Sequence, residues 1–146
     1  MKATPLEDLV EQWKNDSKIN KIDPDKDLLT IPNLHSKYAA ELVAHSAALK
    51  QKTRALTSLT KVKWLYFMGK LDQKELKERG WEPFQFILKG DVNIYLDADS
   101  EILALKEVVD AHEDAIEFCK MIVKQISDRT WQIKSYLDYA KYTVGS

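Results

Sequence analysis

The stretch SEILALKEVVDAHEDAIEFCKMIVKQISDRTWQIKSYLDYAKYTV, residues 100–144, is the most regular part of the chain. Its apolar side chains recur at alternating spacings of three and four residues through six heptads, the pattern of a helix that packs along one face. This row consists of Ile102, Leu105, Val109, His112, Ile116, Cys119, Val123, Ile126, Thr130, Ile133, Leu137, Ala140 and Val144. The sequence therefore predicts one long C-terminal helix.

A second apolar row beside the first widens the apolar face of this helix, which indicates more than one partner helix. It consists of Val108, Ala111, Ala115, Phe118 and Ile122. A helix over residues 100–142 would span roughly 64 Å, whereas a compact chain of this size has a radius of gyration of about 15 Å. We therefore expect oligomerisation through Ile102, Leu105, Val109, Ile116, Cys119, Val123, Ile126, Ile133 and Leu137. The alternative is a helix that breaks at residues 127–129 and folds back.

The composition agrees with a single mainly α domain. The chain has 146 residues, 45% of them apolar, with only four glycines and four prolines, which favours long helices over a sandwich or barrel. No stretch approaches 18 uncharged apolar residues and no apolar leader follows Met1, so we expect a soluble cytoplasmic protein. The lone Cys119 cannot form an internal disulfide, and no metal site is predicted.

Two further helices are predicted in the N-terminal part, residues 1–71. The first begins at Thr4-Pro5-Leu6-Glu7, with Thr4 as N-cap and Glu7 completing a capping box, and runs to about Asn15. The polar, proline-containing residues 16–32 are predicted to form a connector. A long heptad-patterned helix then follows, with Tyr38, Leu42, His45, Leu49, Lys52, Leu56, Leu59, Lys63 and Tyr66 on one face.

Residues 72–96 are predicted to connect these helices to the C-terminal oligomerisation helix, residues 97–146. Asp72-Gln73-Lys74-Glu75 is a capping-box pattern for a short helix that stops at Gly80. Phe84, Phe86 and Leu88, and then Val92, Ile94 and Leu96, alternate around the turn pair Gly90-Asp91, which predicts a possible small β-hairpin over residues 84–96. Asp97 to Glu101 supply an N-cap and first-turn acids for the final helix.

The charges are sorted into blocks that nearly cancel. Residues 42–71 carry six basic residues and no acid, whereas residues 91–117 carry nine acids and one lysine. Blocks of a single sign indicate partners of opposite charge. The alternative is that the two blocks face each other in the fold or in an assembly.

Patterns of catalytic residues are incomplete. His112-Glu113 begins like a zinc-protease helix, but Ile116 stands where the second histidine would be. Asp97-x-Asp99 lacks the glycine and the distal glutamate of a calcium loop, so capping is the better interpretation. The four glycines are scattered singly, so no phosphate-binding loop is encoded. His45 and His112 fall on heptad positions, where a core role is commoner. We expect a protein that is not an enzyme and has no cofactor.

Single-stranded nucleic acid requires cations for phosphates and aromatic rings for unstacked bases. Residues 50–70 supply both. Lys50, Arg54 and Lys61 fall within about 40° of one another on a helix, and Lys52, Lys63 and Lys70 form a second stripe on roughly the opposite side. The candidate nucleic-acid-binding residues are Lys50, Lys52, Arg54, Lys61, Lys63, Trp64, Tyr66, Phe67 and Lys70. The alternative is that the aromatic rings are core and the lysines extend around it.

This block, Thr60-Lys61-Val62-Lys63-Trp64-Leu65-Tyr66-Phe67-Met68-Gly69, resembles the DNA-binding block of the UvsY family of recombination mediators from T4-type phages, Leu-Lys-Ala-Arg-x-Asp-Tyr-Tyr followed by Gly. Lys61, Lys63, Tyr66 and Phe67 match the two cations and two aromatics, although Lys63 replaces an arginine and Leu65 an aspartate. The resemblance extends over nearly the whole chain, including Leu6-Glu7-Asp8-Leu9, Tyr38-Ala39-Ala40, residues 95–99 and residues 129–134.

The resemblance implies a ring-like homo-oligomer of six or seven subunits in the cytoplasm of an infected bacterial host. It implies partners: single-stranded DNA, a phage RecA-like recombinase and a phage single-strand-binding protein, with roles in DNA recombination, repair and replication. The recombinase would be loaded onto DNA that the binding protein already coats. The alternative from the residues alone is a coiled-coil adaptor or assembly scaffold that does not bind DNA and docks an acidic protein through its basic block.

Overall fold

The computed structural model describes residues 2–18, 22, 24–84 and 87–145, and these form helices, turns and connecting segments without a strand. The helices are α1 (Leu6–Asp16), α2 (Pro24–Phe67), α3 (Gln73–Arg79), α4 (Val92–Ala98) and α5 (Ser100–Gly145), with a 3₁₀ turn at Lys89–Asp91. The prediction of a mainly α fold is confirmed.

Helix α5 is continuous through residues 127–129, so the alternative of a break there is wrong. Ser127 does not cap a new helix, because its hydroxyl donates to the carbonyl of Val123 one turn earlier, a bond that a serine inside a helix commonly makes. The helix begins as predicted. Asp99 caps it, since its Oδ2 accepts the N–H of Ile102 at 3.0 Å.

The predicted cap of α1 is wrong. Pro5 is the N-cap and no side chain caps the helix. Thr4 instead reaches α2, where its N–H and its hydroxyl both donate to the carboxylate of Glu41. A carboxylate that accepts two donors is a stronger partner for threonine than a backbone N–H of its own helix. These bonds fasten the segment before α1 to α2.

The predicted connector over residues 16–32 is too long, because α2 begins at Pro24 and contains Pro32. Proline inside a helix removes one backbone hydrogen bond. Ile31 and Leu34, on either side of it, pack against the first core cluster, so burial of apolar surface offsets that loss. Local sequence signals alone suggested a loop here.

The predicted hairpin over residues 84–96 is also wrong. Residues 89–98 form the 3₁₀ turn and α4, while Phe86 lies outside the described residues. The alternation of Val92, Ile94 and Leu96 conceals a helical spacing: Val92 and Leu96 are one turn apart and buried, whereas Ile94 is 67% exposed. Three apolar residues at a spacing of two fit a strand or one helical turn, and tertiary packing selected the helix.

The chain divides into two compact units, each with its own core. The first unit consists of Met1–Ala48 and Ala111–Ser146, and the second of Leu49–Asp110. The core of the first unit contains Leu9, Trp13, Tyr38, Ala115, Cys119, Ile122 and Ile126. The core of the second unit contains Phe67, Val92, Leu96 and Ile102, with Leu56, Leu59, Trp64, Tyr66, Met68, Phe84 and Ile87 packed against it.

Polar groups inside the first unit tie its helices together. His45 Nε2 lies 2.7 Å from the carbonyl oxygen of Thr4 and donates to it, and His45 Nδ1 lies 2.9 Å from His112 Nδ1. This satisfied pair agrees with the core role predicted for both histidines. Arg129 on α5 is buried and donates to the backbone carbonyls of Asp16 and Lys18.

Asp16, at the end of α1, accepts hydrogen bonds from Lys37 (2.7 Å) and Tyr38 (2.8 Å) on α2. Burial alone would raise the pKa of its carboxyl group, but these two donors, with the charges of Lys37 and Arg129, hold that pKa below its ordinary value. The pKa of Tyr38 is correspondingly raised, by burial and by the Asp16 carboxylate. Asp16 is therefore a charged link between α1 and α2.

Candidate nucleic-acid interface

One of the two predicted basic stripes is exposed. Lys50, Arg54 and Lys61 are all solvent-exposed on α2, within the second unit. Their spacing of four and seven residues places them on one face of the helix. Because no acid occurs in residues 42–71, nothing on this part of the helix neutralises them locally. The stripe can therefore contact successive phosphates of a strand.

Two of the three lysines of the second stripe, Lys52 and Lys63, turn toward the protein. Lys52 is half-buried and Lys63 is only 5% exposed. The Lys63 ammonium lies 3.1 Å from Asp99 Oδ1 and 3.4 Å from Glu101 Oε1. A buried ammonium that is paired with two carboxylates has little reason to leave them for a phosphate. In this arrangement Lys63 holds the second unit together and does not face a ligand.

Lys63 also fixes Trp81, a residue that the sequence analysis missed. The Lys63 ammonium lies 4.1 Å from the centroid of the Trp81 ring, a favourable cation–π distance. The indole N–H of Trp81 donates to Glu101 Oε1 at 3.2 Å. The only sequence signal was an aromatic residue directly after Gly80, the predicted end of α3.

The capping of α3 positions Trp81. Asp72 Oδ1 accepts the N–H of Glu75 at 2.8 Å, and Gly80 adopts φ +70°, the left-handed conformation that glycine takes readily. The Trp81 N–H then donates to the Leu76 carbonyl, which turns the chain back over α3. Both predicted ends of this helix are confirmed, and they place Trp81 next to the end of α2.

The predicted aromatic residues lie at different depths. Phe67 is 6% exposed and belongs to the core of the second unit. Tyr66 is half-buried, its hydroxyl donates to the Glu82 carbonyl at 2.6 Å, and its ring lies 5.1 Å from that of Trp81. Trp64 is half-buried, with the Lys70 ammonium 4.9 Å from its ring centroid. Tyr66 and Trp64 retain accessible surface, whereas Phe67 is a core residue.

Lys70 lies just beyond the end of α2 and is exposed. Gly69, at φ +68°, ends the helix: its N–H donates to the Tyr66 carbonyl, and the Lys70 N–H donates to the Leu65 carbonyl. This is the Schellman arrangement, in which the residue after the helix needs a positive φ. Gly69 therefore directs Lys70 back over the Trp64 ring.

The predicted oligomerisation residues are mostly buried inside the chain. Leu105, Val123 and Leu137 are half-buried, while the other six, Ile102, Val109, Ile116, Cys119, Ile126 and Ile133, are buried. The apolar row therefore packs largely on its own chain, and its part in contacts between subunits stays a prediction. Exposed apolar side chains occur along α5, at Leu103, Val108 and Met121, and the most exposed ones lie near its end, at Trp131, Tyr139, Tyr142 and Val144.

Possible metal ligands are dispersed over the described part of the chain. Within the ranges 2–18, 22, 24–84 and 87–145, no three His, Cys, Asp or Glu residues are arranged to hold a metal ion. Cys119 is fully buried, and its burial, together with the Glu41 charge, raises the pKa of its thiol to about 11. Such a thiol is not a thiolate nucleophile at neutral pH. No helix in the described part of the chain is long and apolar enough to cross a membrane.

The fold and the exposed stripe define a mainly helical protein with a candidate surface for nucleic-acid backbone. A family model described as "Recombination, repair and ssDNA binding protein UvsY" matches residues 12–146. The chain therefore belongs to the UvsY family, as its sequence indicated. No curated protein sequence matches the chain significantly.

Solved structures agree with this assignment at the level of the fold. The chain is similar to two crystal structures of the bacteriophage T4 recombination mediator protein UvsY, of lattice types II and IV. For the first, the TM-score is 0.81 at 20% identity, covering 96% of this chain and 98% of the other. For the second, the TM-score is 0.81 at 19% identity, covering 95% and 99%.

Proposed function

We propose that this protein is a recombination mediator that binds single-stranded DNA as a homo-oligomer. It promotes loading of a RecA-like recombinase onto DNA coated by single-strand-binding protein. It acts without catalysis or cofactor, in the cytoplasm of a bacterium infected by a phage. Membership of the UvsY family supports the recombination role. The observation that carries the DNA-binding part is the exposed stripe of Lys50, Arg54 and Lys61 on an acid-free stretch of α2.

The stripe suits a backbone ligand of any sequence. Lysine and arginine that contact phosphates release condensed counterions, which gives affinity without base readout. Lys70 is a further exposed cation and lies beside the half-buried Trp64 ring, and unstacked bases can stack on accessible aromatic rings. Lys63 and Phe67 serve this surface indirectly, because they fix the end of α2.

Assembly would multiply these contacts. A few phosphate contacts in one subunit are weak, but several subunits on one strand raise the effective concentration of every further contact. The exposed apolar side chains near the end of α5, Trp131 at 73% and Tyr139 at 67%, are candidates for the surface between the subunits of a hexamer or heptamer, because burying apolar side chains on association is favourable. A strand held by such an assembly could be presented to the recombinase.

The decisive experiment is a fluorescence anisotropy titration of labelled oligo-dT at several salt concentrations, with light scattering on the same samples. The proposal requires binding whose logarithmic affinity falls linearly with the logarithm of salt concentration, and particles larger than a monomer. Oligomers that fail to bind oligo-dT at low salt would instead support the coiled-coil adaptor. A monomer in every condition would contradict the assembly.

A further inference from the structure

A cavity of about 390 Å³ opens beside Trp81 in the second unit, between α3 and the segment that follows it. Its lining includes Leu76, Trp81 and Pro83, which are flat or apolar, and Lys77 and Glu82, which are charged. Its volume lies within the range of ligand sites. None of the residues predicted from the sequence to bind nucleic acid lines this cavity.

The Trp81 ring is immobilised before any ligand arrives. The Lys63 ammonium lies over it, the Arg79 guanidinium carbon is 5.3 Å from its centroid, and its N–H is bonded to Glu101. A ring that is already fixed loses little side-chain entropy when a planar group stacks on it.

The cavity has a smaller neighbour next to the end of α2. A second cavity, of about 130 Å³, is lined by Tyr66 and Gly69 and shares Leu76 and Pro83 with the first. Tyr66 also contacts Trp81 directly, with ring centroids 5.1 Å apart. The cavity therefore lies beside Tyr66, at the end of α2.

The charges of the lining favour an uncharged occupant. Lys77 and Glu82 offset each other within the wall, so the cavity offers no net attraction to a phosphate. Lys77 and Lys74 are exposed on α3 and can contact phosphates on either side of a base that enters. We propose that the cavity binds one unstacked base of a single DNA strand, stacked on Trp81, an inference that rests on the proposed function.

The test compares oligo-dT with an abasic oligonucleotide of the same length, using the full chain. Trp81→Leu removes the ring, and Trp81→Phe restores an aromatic face. We expect Trp81→Leu to weaken oligo-dT binding about tenfold, a loss within the range measured for one stacked base, and to leave abasic binding nearly unchanged. Trp81→Phe should recover most of the loss. An unchanged ratio of the two affinities in a folded Trp81→Leu variant would overturn the inference.

Lys77→Ala and Lys74→Ala distinguish the effect of the cavity on binding from the effect of the positive charge around it. Both residues are exposed on the same helix, but only Lys77 lines the cavity. We expect both variants to lower the salt slope and neither to change the preference for oligo-dT over the abasic strand. A lost preference in Lys74→Ala would show that the preference arises outside the cavity, against the inference.

Photocrosslinking tests the inference on the wild-type chain, so it does not require any variant to fold. Oligo-dT containing 5-iodouracil is irradiated in complex with the wild-type chain, and the adducts are mapped by mass spectrometry. Adducts at Trp81 support the inference, and adducts confined to other residues overturn it. If wild type binds neither oligonucleotide, the proposed function itself fails. If the wild type binds DNA without any contribution from Trp81, the proposed function stands and only the proposal that the cavity binds a base is contradicted.

Discussion

The Nζ atom of Lys63 lies 3.1 Å from Oδ1 of Asp99, and Oδ2 of the same carboxylate accepts the Ile102 N–H at the start of α5. One aspartate therefore caps a helix and neutralises a buried lysine on another. Lys63 lies at the centre of the basic block, yet it is an internal link, because its ammonium pairs with the carboxylates of Asp99 and Glu101.

Lys63→Ala should destabilise the fold by about 3 kcal/mol, because it leaves the buried Asp99 carboxylate without its main partner. Urea denaturation followed by circular dichroism measures the change. Lys61→Ala, two residues away and exposed, is the matched control and should change stability by less than about 0.5 kcal/mol. A Lys63→Ala variant that keeps wild-type stability but loses salt-dependent DNA binding would assign Lys63 to the strand instead.

Arg54→Ala combined with Lys61→Ala should weaken oligo-dT binding and reduce the salt slope by about 1.4, since each phosphate contact on a single strand contributes about 0.7. Anisotropy titrations at four or more salt concentrations measure this slope. Lys124→Ala combined with Lys134→Ala, both exposed in the first unit, is a control of equal charge change and should leave the slope unchanged. Equal salt slopes for the wild type, the double variant and the control would show that Arg54 and Lys61 do not contact the DNA.

Tyr139→Asp combined with Tyr142→Asp should dissociate the assembly without loss of helical signal, because both side chains are exposed and cover no core of their own chain. Sedimentation velocity and circular dichroism test the two parts. Val123→Asp is the contrasting variant. Val123 packs against the core of the first unit, so a carboxylate there should lower stability by several kcal/mol. Intact oligomers in the tyrosine variant would place the interface elsewhere.

Asp16→Asn should lower stability by about 1 kcal/mol at neutral pH, through loss of charged hydrogen bonds from Lys37 and Tyr38. The pKa of Asp16 is depressed in the folded chain, so its contribution is complete above the ordinary value of 3.8 and fades as the pH falls below it. Thermal melts from pH 7 to pH 3 should show the difference between variant and wild type shrinking with acid. Glu11→Gln, exposed on α1, should show no such trend.

Patterns repeated over many residues predicted the structure well. The heptads of α5 and the capping residues Asp72, Gly80 and Asp99 gave correct helices, since periodicity and capping are local physics that tertiary contacts reinforced. Two short signals gave wrong predictions: Pro32 suggested a connector, and the alternation from Val92 to Leu96 suggested a hairpin. In both places tertiary packing decided between the possible conformations. A sequence pattern that covers only one helical turn is too short to distinguish a helix from a strand or a loop.

The candidate site was predicted in outline only. Helical spacing separated the basic residues of α2 into two stripes. Because both stripes contain lysines, the sequence did not show which of them faces solvent. That choice depends on Asp99 and Glu101, more than 35 residues after Lys63. Trp81 was missed for the same reason, because its partners Lys63 and Glu101 are distant in sequence.

The division of the chain has a consequence for the order of folding during synthesis. Residues 49–110 are contiguous, so the second unit can collapse before residues 111–146 have left the ribosome. The first unit needs both ends: Arg129 reaches carbonyls more than 110 positions earlier, contacts that must await the last helix. The early folding of residues 49–110 shortens the loop that remains to be closed, which lowers the entropy cost of joining the two ends. A stalled chain that stops before α5 is complete would carry a finished second unit and an open, apolar first one.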